Sequence, residues 1–149
     1  MMLHNFNAGP SILPPSVFSG AADAIRDFNG TGLSILEIGH RTALFEPVMD
    51  EARALIRELM QLNDDQEVLF LHGGASTQFM QIPMNLLPAN GKADYTDTGT
   101  WSAKAIKEAN LYGTVEIAGS SKEAHYRSIP KTLDIDPEAA YLHLTTNET

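Results

Sequence analysis

Apolar residues recur at helical spacing in two segments of the first half of the chain. The first segment opens at Pro14-Pro15, where proline is tolerated in the first turn of a helix, and it ends at Asn29-Gly30. The second runs from about Phe45 to Gln61, with its charged residues mostly off the apolar face. This spacing predicts two amphipathic helices. Their apolar positions are Val17, Ala21, Ala22, Ile25 and Phe28 in the first, and Val48, Ala52, Leu55, Ile56 and Leu59 in the second.

From residue 67 onward, short apolar runs alternate with helical patterns. One helix is predicted to begin near Ala75 or Ser76, with a kink or early stop at Pro83, and another covers residues 100–112. Asp136-Pro137 predicts a cap and a first helical turn. The predicted strands are residues 67–71, 93–96, 114–118 and 140–144. The alternation predicts an α/β fold with a mostly parallel sheet and helices on both faces, and such sheets bind ligands beyond the carboxyl ends of their strands.

Composition narrows the class of protein. Hydrophobic residues make up 43% of the 149 residues and charged residues 19%, which is typical of a globular chain. The formal net charge of −9 argues against a nucleic-acid partner, because that binding depends on clustered cations. The longest aliphatic or aromatic run is only Val68–Leu71, no signal peptide is predicted, and cysteine is absent. We therefore expect a soluble cytoplasmic protein with no membrane span and no disulfide.

The segment from His72 to Thr77, His-Gly-Gly-Ala-Ser-Thr, follows a predicted strand and leads into a predicted helix. Free amides at a helix N-terminus, together with the helix dipole, offer hydrogen-bond donors and partial positive charge to a phosphate. The segment lacks the lysine of a Walker loop and the spacing of a dinucleotide fingerprint. The pattern is therefore compatible either with a phosphate site or with an ordinary glycine turn and a serine or threonine cap.

Two further places carry candidate binding chemistry. Trp101, the only tryptophan, follows the second predicted strand, where its indole either stacks on a flat ligand or packs in the core. His40-Arg41 lies in a glycine-flanked loop, where the guanidinium either holds a carboxylate or phosphate or forms a surface salt bridge. The histidines show no metal-ligand spacing, and no metal site is predicted.

Several motifs together resemble those of the phosphoserine aminotransferase family, in order and along the whole chain. The blocks around His-Gly-Gly and around Asp-Tyr to Trp are the specific ones. The Gly-Pro and His-Arg pieces are also similar to those of alanine–glyoxylate-type aminotransferases. The matching segments are Asn5–Pro10 with Leu13-Pro14, Gly39–Arg41, Leu69–Phe79, Ala93–Ser102 with Lys104–Ala109, and Asn147–Thr149.

The resemblance implies a fold-type-I enzyme dependent on pyridoxal 5′-phosphate. Such enzymes transfer an amino group between L-glutamate and 3-phosphohydroxypyruvate, giving phosphoserine and 2-oxoglutarate in serine biosynthesis and, in many bacteria, in pyridoxine biosynthesis. Residues 1–14 would form an N-terminal arm and residues 15–149 the first portion of the large cofactor-binding domain. The remaining large domain and the C-terminal small domain would be absent. A homodimer is also implied, because two subunits complete each site in the family.

The resemblance also assigns roles to individual residues. Ala75 and Ser76 would contact the cofactor phosphate through backbone amides and the Ser76 hydroxyl. Trp101 would stack on the pyridine ring, and Thr149 would lie near the phenolic oxygen of that ring. Arg41, with His40 beside it, would hold the acidic end of the substrate.

Transamination also needs a lysine that bonds the cofactor and a carboxylate on the pyridinium nitrogen. In the resembling family both follow the position of Thr149, and none of the five lysines of this chain matches the family's lysine. We therefore expect these 149 residues alone to be inactive and the activity to belong to a longer parent. The alternatives are another class-V aminotransferase, such as the alanine–glyoxylate type, or a non-catalytic fragment that binds a phosphorylated ligand.

Overall fold

The structure is a computed structural model that describes residues 4–148. The chain divides into two compact units, one up to Phe70 and the other from Leu71 onward. Among the described residues, no helix combines the length and the apolar character that crossing a membrane requires.

The first unit contains the two helices that the apolar spacing predicts. Helix α1 spans Pro15–Arg26 and helix α2 spans Glu46–Met60, so both predictions are confirmed. Proline stands near the start of each helix, and Gln61, in a left-handed conformation, ends α2. Two 3₁₀ turns lie between the helices, at Phe28–Gly30 and Ile35–Glu37. Neither helix contains a buried residue, so their apolar faces remain largely exposed.

The second unit is a three-stranded parallel sheet with helices. In chain order it contains α3 (Gly74–Leu86), β1 (Lys92–Asp97), α4 (Thr100–Ala109), β2 (Thr114–Ser120) and β3 (Leu142–His143). The strand order is β2-β1-β3, with β1 in the middle. The α/β prediction is confirmed, and the carboxyl ends of the three strands lie at one edge of the sheet, because both pairings are parallel.

Helices α3 and α4 pack with the face of β1 that carries Ala93 and Tyr95. Ala93, Ala105 and Ala109 are completely buried, and their small side chains let α4 lie close to the strand. The opposite face of β1 carries Asp94 and Thr96, which alternate with the apolar pair. An irregular segment covers that face. The backbone N–H of Asp136 donates to the Asp94 carboxylate (2.7 Å) and that of Asp134 to the Ala118 carbonyl (2.8 Å).

Two predictions of regular structure are wrong. Residues 67–71 form no strand, because none of β1, β2 and β3 pairs with them, and Leu69 is 73% exposed. Of the kink or early stop predicted at Pro83, the early stop is wrong, because α3 continues to Leu86. The ring of Pro83 is buried, and its carbonyl still accepts a hydrogen bond from the Leu87 N–H (3.1 Å). Burial of the ring therefore outweighs the one backbone hydrogen bond that proline cannot donate.

Other element boundaries differ from the prediction. Helix α4 ends at Ala109, and hydrogen-bonded turns follow, in which the N–H groups of Tyr112 and Gly113 donate to the Ala109 carbonyl. Asp136 caps a turn, since its carboxylate accepts the Glu138 N–H (2.8 Å), but no helix follows. The predicted strand at 140–144 is shorter, because only Leu142 and His143 pair with β1.

Candidate functional site

The entry to α3 is shaped by two glycines in left-handed conformations. Gly73 has a φ of 100° and Gly74 a φ of 62°. A Cβ atom on Gly73 would lie 1.8 Å from the Thr77 hydroxyl oxygen and 2.7 Å from the Thr77 Cβ, whereas a Cβ on Gly74 would meet open space. Gly73 therefore satisfies both a backbone and a steric requirement, and it lets the chain turn directly into the first turn of the helix.

The first turn of α3 is open to a ligand. The helix has 13 residues, its N-cap residue Gly73 provides no side-chain cap, and its first turn contains no acidic residue. Ala75 and Ser76 are exposed. The serine or threonine cap that the sequence left open as an alternative is not formed. An uncapped helix N-terminus with an exposed hydroxyl matches the hydrogen-bonding needs of a phosphate.

The turn between β1 and α4 is held by a buried hydroxyl. The Ser102 oxygen accepts the backbone N–H groups of Thr98 (2.9 Å) and Gly99 (2.8 Å), and the hydroxyl donates to the Gly99 carbonyl (3.0 Å). Ser102 has no exposed surface. These three hydrogen bonds fix the turn at the carboxyl end of β1, where the fold class places ligands.

The N-terminus of α4, in contrast to that of α3, is occupied by a carboxylate of the chain itself. Glu148 accepts the backbone N–H of Trp101 (2.9 Å) and of Ser102 (2.8 Å), and it also accepts the Thr98 hydroxyl (3.3 Å). Burial raises the pKa of the Glu148 carboxyl, but hydrogen bonds from Ser102, Trp101 and Thr98 outweigh burial and hold the pKa below its ordinary value. Glu148 is therefore an anion at neutral pH.

Trp101 lies in the first turn of α4 and is half-buried. The Lys104 ammonium is 4.1 Å from the centre of the indole ring, within range of a cation–π contact. The prediction that Trp101 follows the carboxyl end of a strand is confirmed. Its position is compatible with stacking on a flat ligand at that edge of the sheet.

Comparison of the two helix N-termini shows where a phosphate fits. At α4 the Glu148 carboxylate already uses the amides of Trp101 and Ser102, and its charge would repel a second anion. At α3 the first turn contains no carboxylate, and the N-cap residue Gly73 provides no side-chain cap for the amides. The residues present therefore fit a phosphate group at Ala75 and Ser76 better than at the start of α4.

His40 and Arg41 lie in the first unit, in the turn that precedes α2. Both side chains are exposed, and the Arg41 Nε–H donates to the His40 Nε2 atom (3.2 Å). Within residues 4–148, Arg41 forms no ion pair. The surface salt bridge that the sequence left open for Arg41 is therefore not seen. The remaining N–H groups of its guanidinium are compatible with binding an acidic ligand.

The last predicted site residue, Thr149, lies outside the described residues. The described lysines have other contacts or positions. Lys92, at the amino end of β1, pairs with Asp136 and with Glu138 (3.3 Å), and the hydrogen bond that it donates to Asp136 raises its pKa above the ordinary value. Lys104 lies over Trp101. Lys107, Lys122 and Lys131 are exposed. No group of potential metal ligands occurs in the part of the chain that the structure describes.

A cleft of about 660 Å³, which the sequence did not predict, opens beside β1. Thr98 and Glu148 line it, so it adjoins the turn between β1 and α4, but neither Ser76 nor Trp101 does. Much of its remaining wall is apolar, formed by Ile129, Pro130, Leu133 and Leu144 among others. A phosphate at the start of α3 would therefore contact the helix terminus and not this cleft.

The profile of the family described as Aminotransferase class-V matches residues 3–149. The chain belongs to this family, whose enzymes use pyridoxal phosphate, and the resemblance read from its motifs is confirmed.

Its relatives are phosphoserine aminotransferases. The one from Flavobacterium johnsoniae is 53% identical over 150 residues, which cover 100% of this chain and 42% of the relative. The one from Desulfatibacillum aliphaticivorans is 51% identical, covering 99% and 41%. The solved structure from Bacillus circulans subsp. alkalophilus matches with a TM-score of 0.86 at 46% identity, covering 97% of this chain and 41% of that one.

A pyridoxal-phosphate-bound phosphoserine aminotransferase from Trichomonas vaginalis also matches, with a TM-score of 0.75 at 30% identity over 93% of this chain and 40% of that one. The chain thus spans about two fifths of the length of the relatives it matches, with 40–42% of each covered. The described fold is accordingly a partial domain of that enzyme fold.

Proposed function

We propose that this chain is the cofactor-binding part of a phosphoserine aminotransferase. The complete protein transfers an amino group between L-glutamate and 3-phosphohydroxypyruvate, giving phosphoserine and 2-oxoglutarate. The observation that carries the proposal is the uncapped first turn of α3 beyond Gly73-Gly74, in the same unit as the half-buried Trp101. Relatives that bear this name, at 51% and 53% identity, support the proposal.

The cofactor is pyridoxal 5′-phosphate, which supplies an electron sink for the carbanion chemistry of amino-group transfer. Ala75 and Ser76 hold its phosphate through backbone N–H groups and the Ser76 hydroxyl. Because α3 provides no arginine or lysine in its first turn, binding relies on amide donors and the helix dipole. Trp101 covers the pyridine ring and limits its contact with water, and Thr149 lies near the phenolic oxygen of that ring.

Arg41 and His40 hold the acidic end of the substrate. A planar guanidinium binds a carboxylate or phosphate through two parallel hydrogen bonds, which fixes orientation as well as charge. The Arg41–His40 hydrogen bond orients the guanidinium, since it engages the Nε–H and leaves the terminal N–H groups for a ligand. The complete enzyme is a homodimer in the cytoplasm and serves the synthesis of serine and of pyridoxine.

Turnover by the complete protein and by the 149-residue chain tests this proposal. We expect the complete protein, loaded with pyridoxal phosphate, to convert glutamate and 3-phosphohydroxypyruvate, and the 149-residue chain to show no turnover. The reason is that no described lysine serves as the lysine that bonds the cofactor. 2-Oxoglutarate is measured with a coupled assay. Steady turnover by the short chain would contradict its predicted inactivity.

Substrate preference separates the alternatives. A preference of the complete protein for glyoxylate with alanine over the phosphorylated keto acid would assign it to the alanine–glyoxylate type. Retention of the cofactor without turnover of any amino donor would favour the non-catalytic binding fragment. A preference for 3-phosphohydroxypyruvate would support the proposed reaction.

Ser76→Ala in the complete protein is expected to weaken binding of pyridoxal phosphate by about 1.5–3 kcal/mol, the contribution of a hydrogen bond to a charged group. The dissociation constant is measured by titration of the apoprotein and followed by cofactor absorbance. Ser19→Ala, which changes another exposed helical serine, is the matched control and should leave the constant unaltered. Equal cofactor affinity in the Ser76 variant and the wild type would exclude the assigned role.

A further inference from the structure

Gly99 and Glu148 are in close contact although they are far apart in the sequence. Gly99 has a φ of 163°, an extended conformation that any residue adopts, so backbone strain does not call for glycine here. Glycine is required here by the space available, because a Cβ on Gly99 would lie 2.5 Å from a carboxylate oxygen of Glu148 and 2.7 Å from its carboxyl carbon. Gly99 therefore leaves the room in which the Glu148 carboxylate sits.

The Glu148 carboxylate, in the space beside Gly99, is hydrogen-bonded to the backbone of Trp101. One oxygen of Glu148 accepts the Trp101 N–H (2.9 Å), and the other accepts the Ser102 N–H (2.8 Å) and the Thr98 hydroxyl (3.3 Å). Ser102 is fully buried, so the backbone on the far side of Trp101 is also fixed. A displacement of the carboxylate would release the Trp101 amide and change the direction in which the indole leaves the backbone.

We propose that Glu148 is a positioning residue for the cofactor ring: its carboxylate, seated against Gly99, fixes the backbone of Trp101 and thereby the indole that covers the ring. The inference rests on the proposed function, because it requires Trp101 to contact the cofactor. It adds a second requirement to the site, namely that position 99 has no side chain.

Glu148→Gln in the complete holoprotein tests this inference. Glutamine keeps the size of the side chain but loses the charge, and its NH₂ group replaces one of the two oxygens that accept backbone N–H groups. We expect about a tenfold higher dissociation constant for pyridoxal phosphate and a weaker visible circular-dichroism band of the bound cofactor. Glu116→Gln, which changes an exposed glutamate on β2, is the matched control and should alter neither.

Gly99→Ala provides an independent route to the same state, because the new Cβ displaces the carboxylate while Glu148 itself is unchanged. It should weaken cofactor binding and the dichroism band as Glu148→Gln does. In the double variant the two effects should not multiply, since the first substitution has already removed the contact. Independent, multiplying effects on the dissociation constant would overturn the inference. If the glutamine variant fails to fold, Gly99→Ala alone carries the test with the same expected result.

Trp101→Ala distinguishes failure of this inference from failure of the proposed function. Reduced dichroism in Trp101→Ala together with reduced dichroism in Glu148→Gln supports the positioning role. Reduced dichroism in Trp101→Ala with an unchanged band and dissociation constant in a folded Glu148→Gln variant overturns that role and leaves the proposed function standing. An unchanged band in Trp101→Ala overturns the contact between Trp101 and the ring, and the positioning role with it.

Discussion

Gly73→Ala is expected to lower the free energy of unfolding by about 2–5 kcal/mol and to abolish tight cofactor binding. Alanine at a φ of 100° carries a conformational cost of about 1–2 kcal/mol, and overlap with Thr77 adds about 1–3 kcal/mol. Rotation of the Thr77 side chain does not relieve the overlap, because the Thr77 Cβ itself lies 2.7 Å from the new atom. The first turn of α3 must shift, which would move its amides away from the proposed phosphate position.

Gly74→Ala is the matched control for this prediction. Its φ of 62° is also left-handed, but a Cβ there would meet nothing within 4 Å. Only the conformational cost of about 1–2 kcal/mol remains. Denaturant unfolding of the apoprotein and cofactor titration compare the two variants. Equal losses of stability in both would show that the contact with Thr77 contributes nothing.

Ser102→Ala should destabilise the protein by about 2–6 kcal/mol. The substitution removes a hydroxyl oxygen that accepts two backbone N–H groups, from Thr98 and Gly99, at a fully buried position. Each N–H group left without a partner costs about 1–3 kcal/mol. Because the same turn carries Trp101, cofactor binding should weaken as well. The free energy of unfolding and the cofactor dissociation constant are the two quantities to measure.

Ser121→Ala offers a control with the same chemical change at another buried serine. Ser121 is 4% exposed, and within residues 4–148 its hydroxyl has no hydrogen-bond partner. Its replacement should therefore be close to neutral, since no donor or acceptor is left unpaired by it. A comparable loss of stability in both serine variants would mean that burial, and not the hydrogen bonds of Ser102, determines the effect.

The sequence predicted the elements that local signals define. Helices α1 and α2 have regular apolar spacing with proline near the start, and β1 and β2 each directly follow a glycine, so all four lie close to their predicted positions. The sequence prediction failed for a strand whose existence depends on pairing with another strand. Residues 67–71 have the apolar composition of a buried strand, but a strand exists only with a hydrogen-bonded neighbour, and composition does not identify one. The early stop predicted at Pro83 failed for a related reason, because burial of the proline ring in the tertiary structure overrides the tendency of proline to end a helix.

The candidate site was predictable to the same limited extent. The glycine pair before α3 and the position of Trp101 after β1 follow from short-range patterns and from the resemblance of the motifs. Glu148 could not be found in this way, because 47 positions separate it from the Trp101 amide that it binds. The requirement for glycine at position 99 could not be predicted either. The backbone there is ordinary, and only the Glu148 carboxylate, distant in the sequence, explains the need for glycine.

The distance between α4 and its carboxylate cap has a consequence for protein synthesis. A chain that leaves the ribosome N-terminus first completes β1 and α4 well before Glu148 emerges. Until then the amides of Trp101 and Ser102 have no carboxylate, and nascent α4 presents an open N-terminus to other anions. The hydrogen bonds from this turn to Glu148 therefore form only after the residues of β3 have been synthesised.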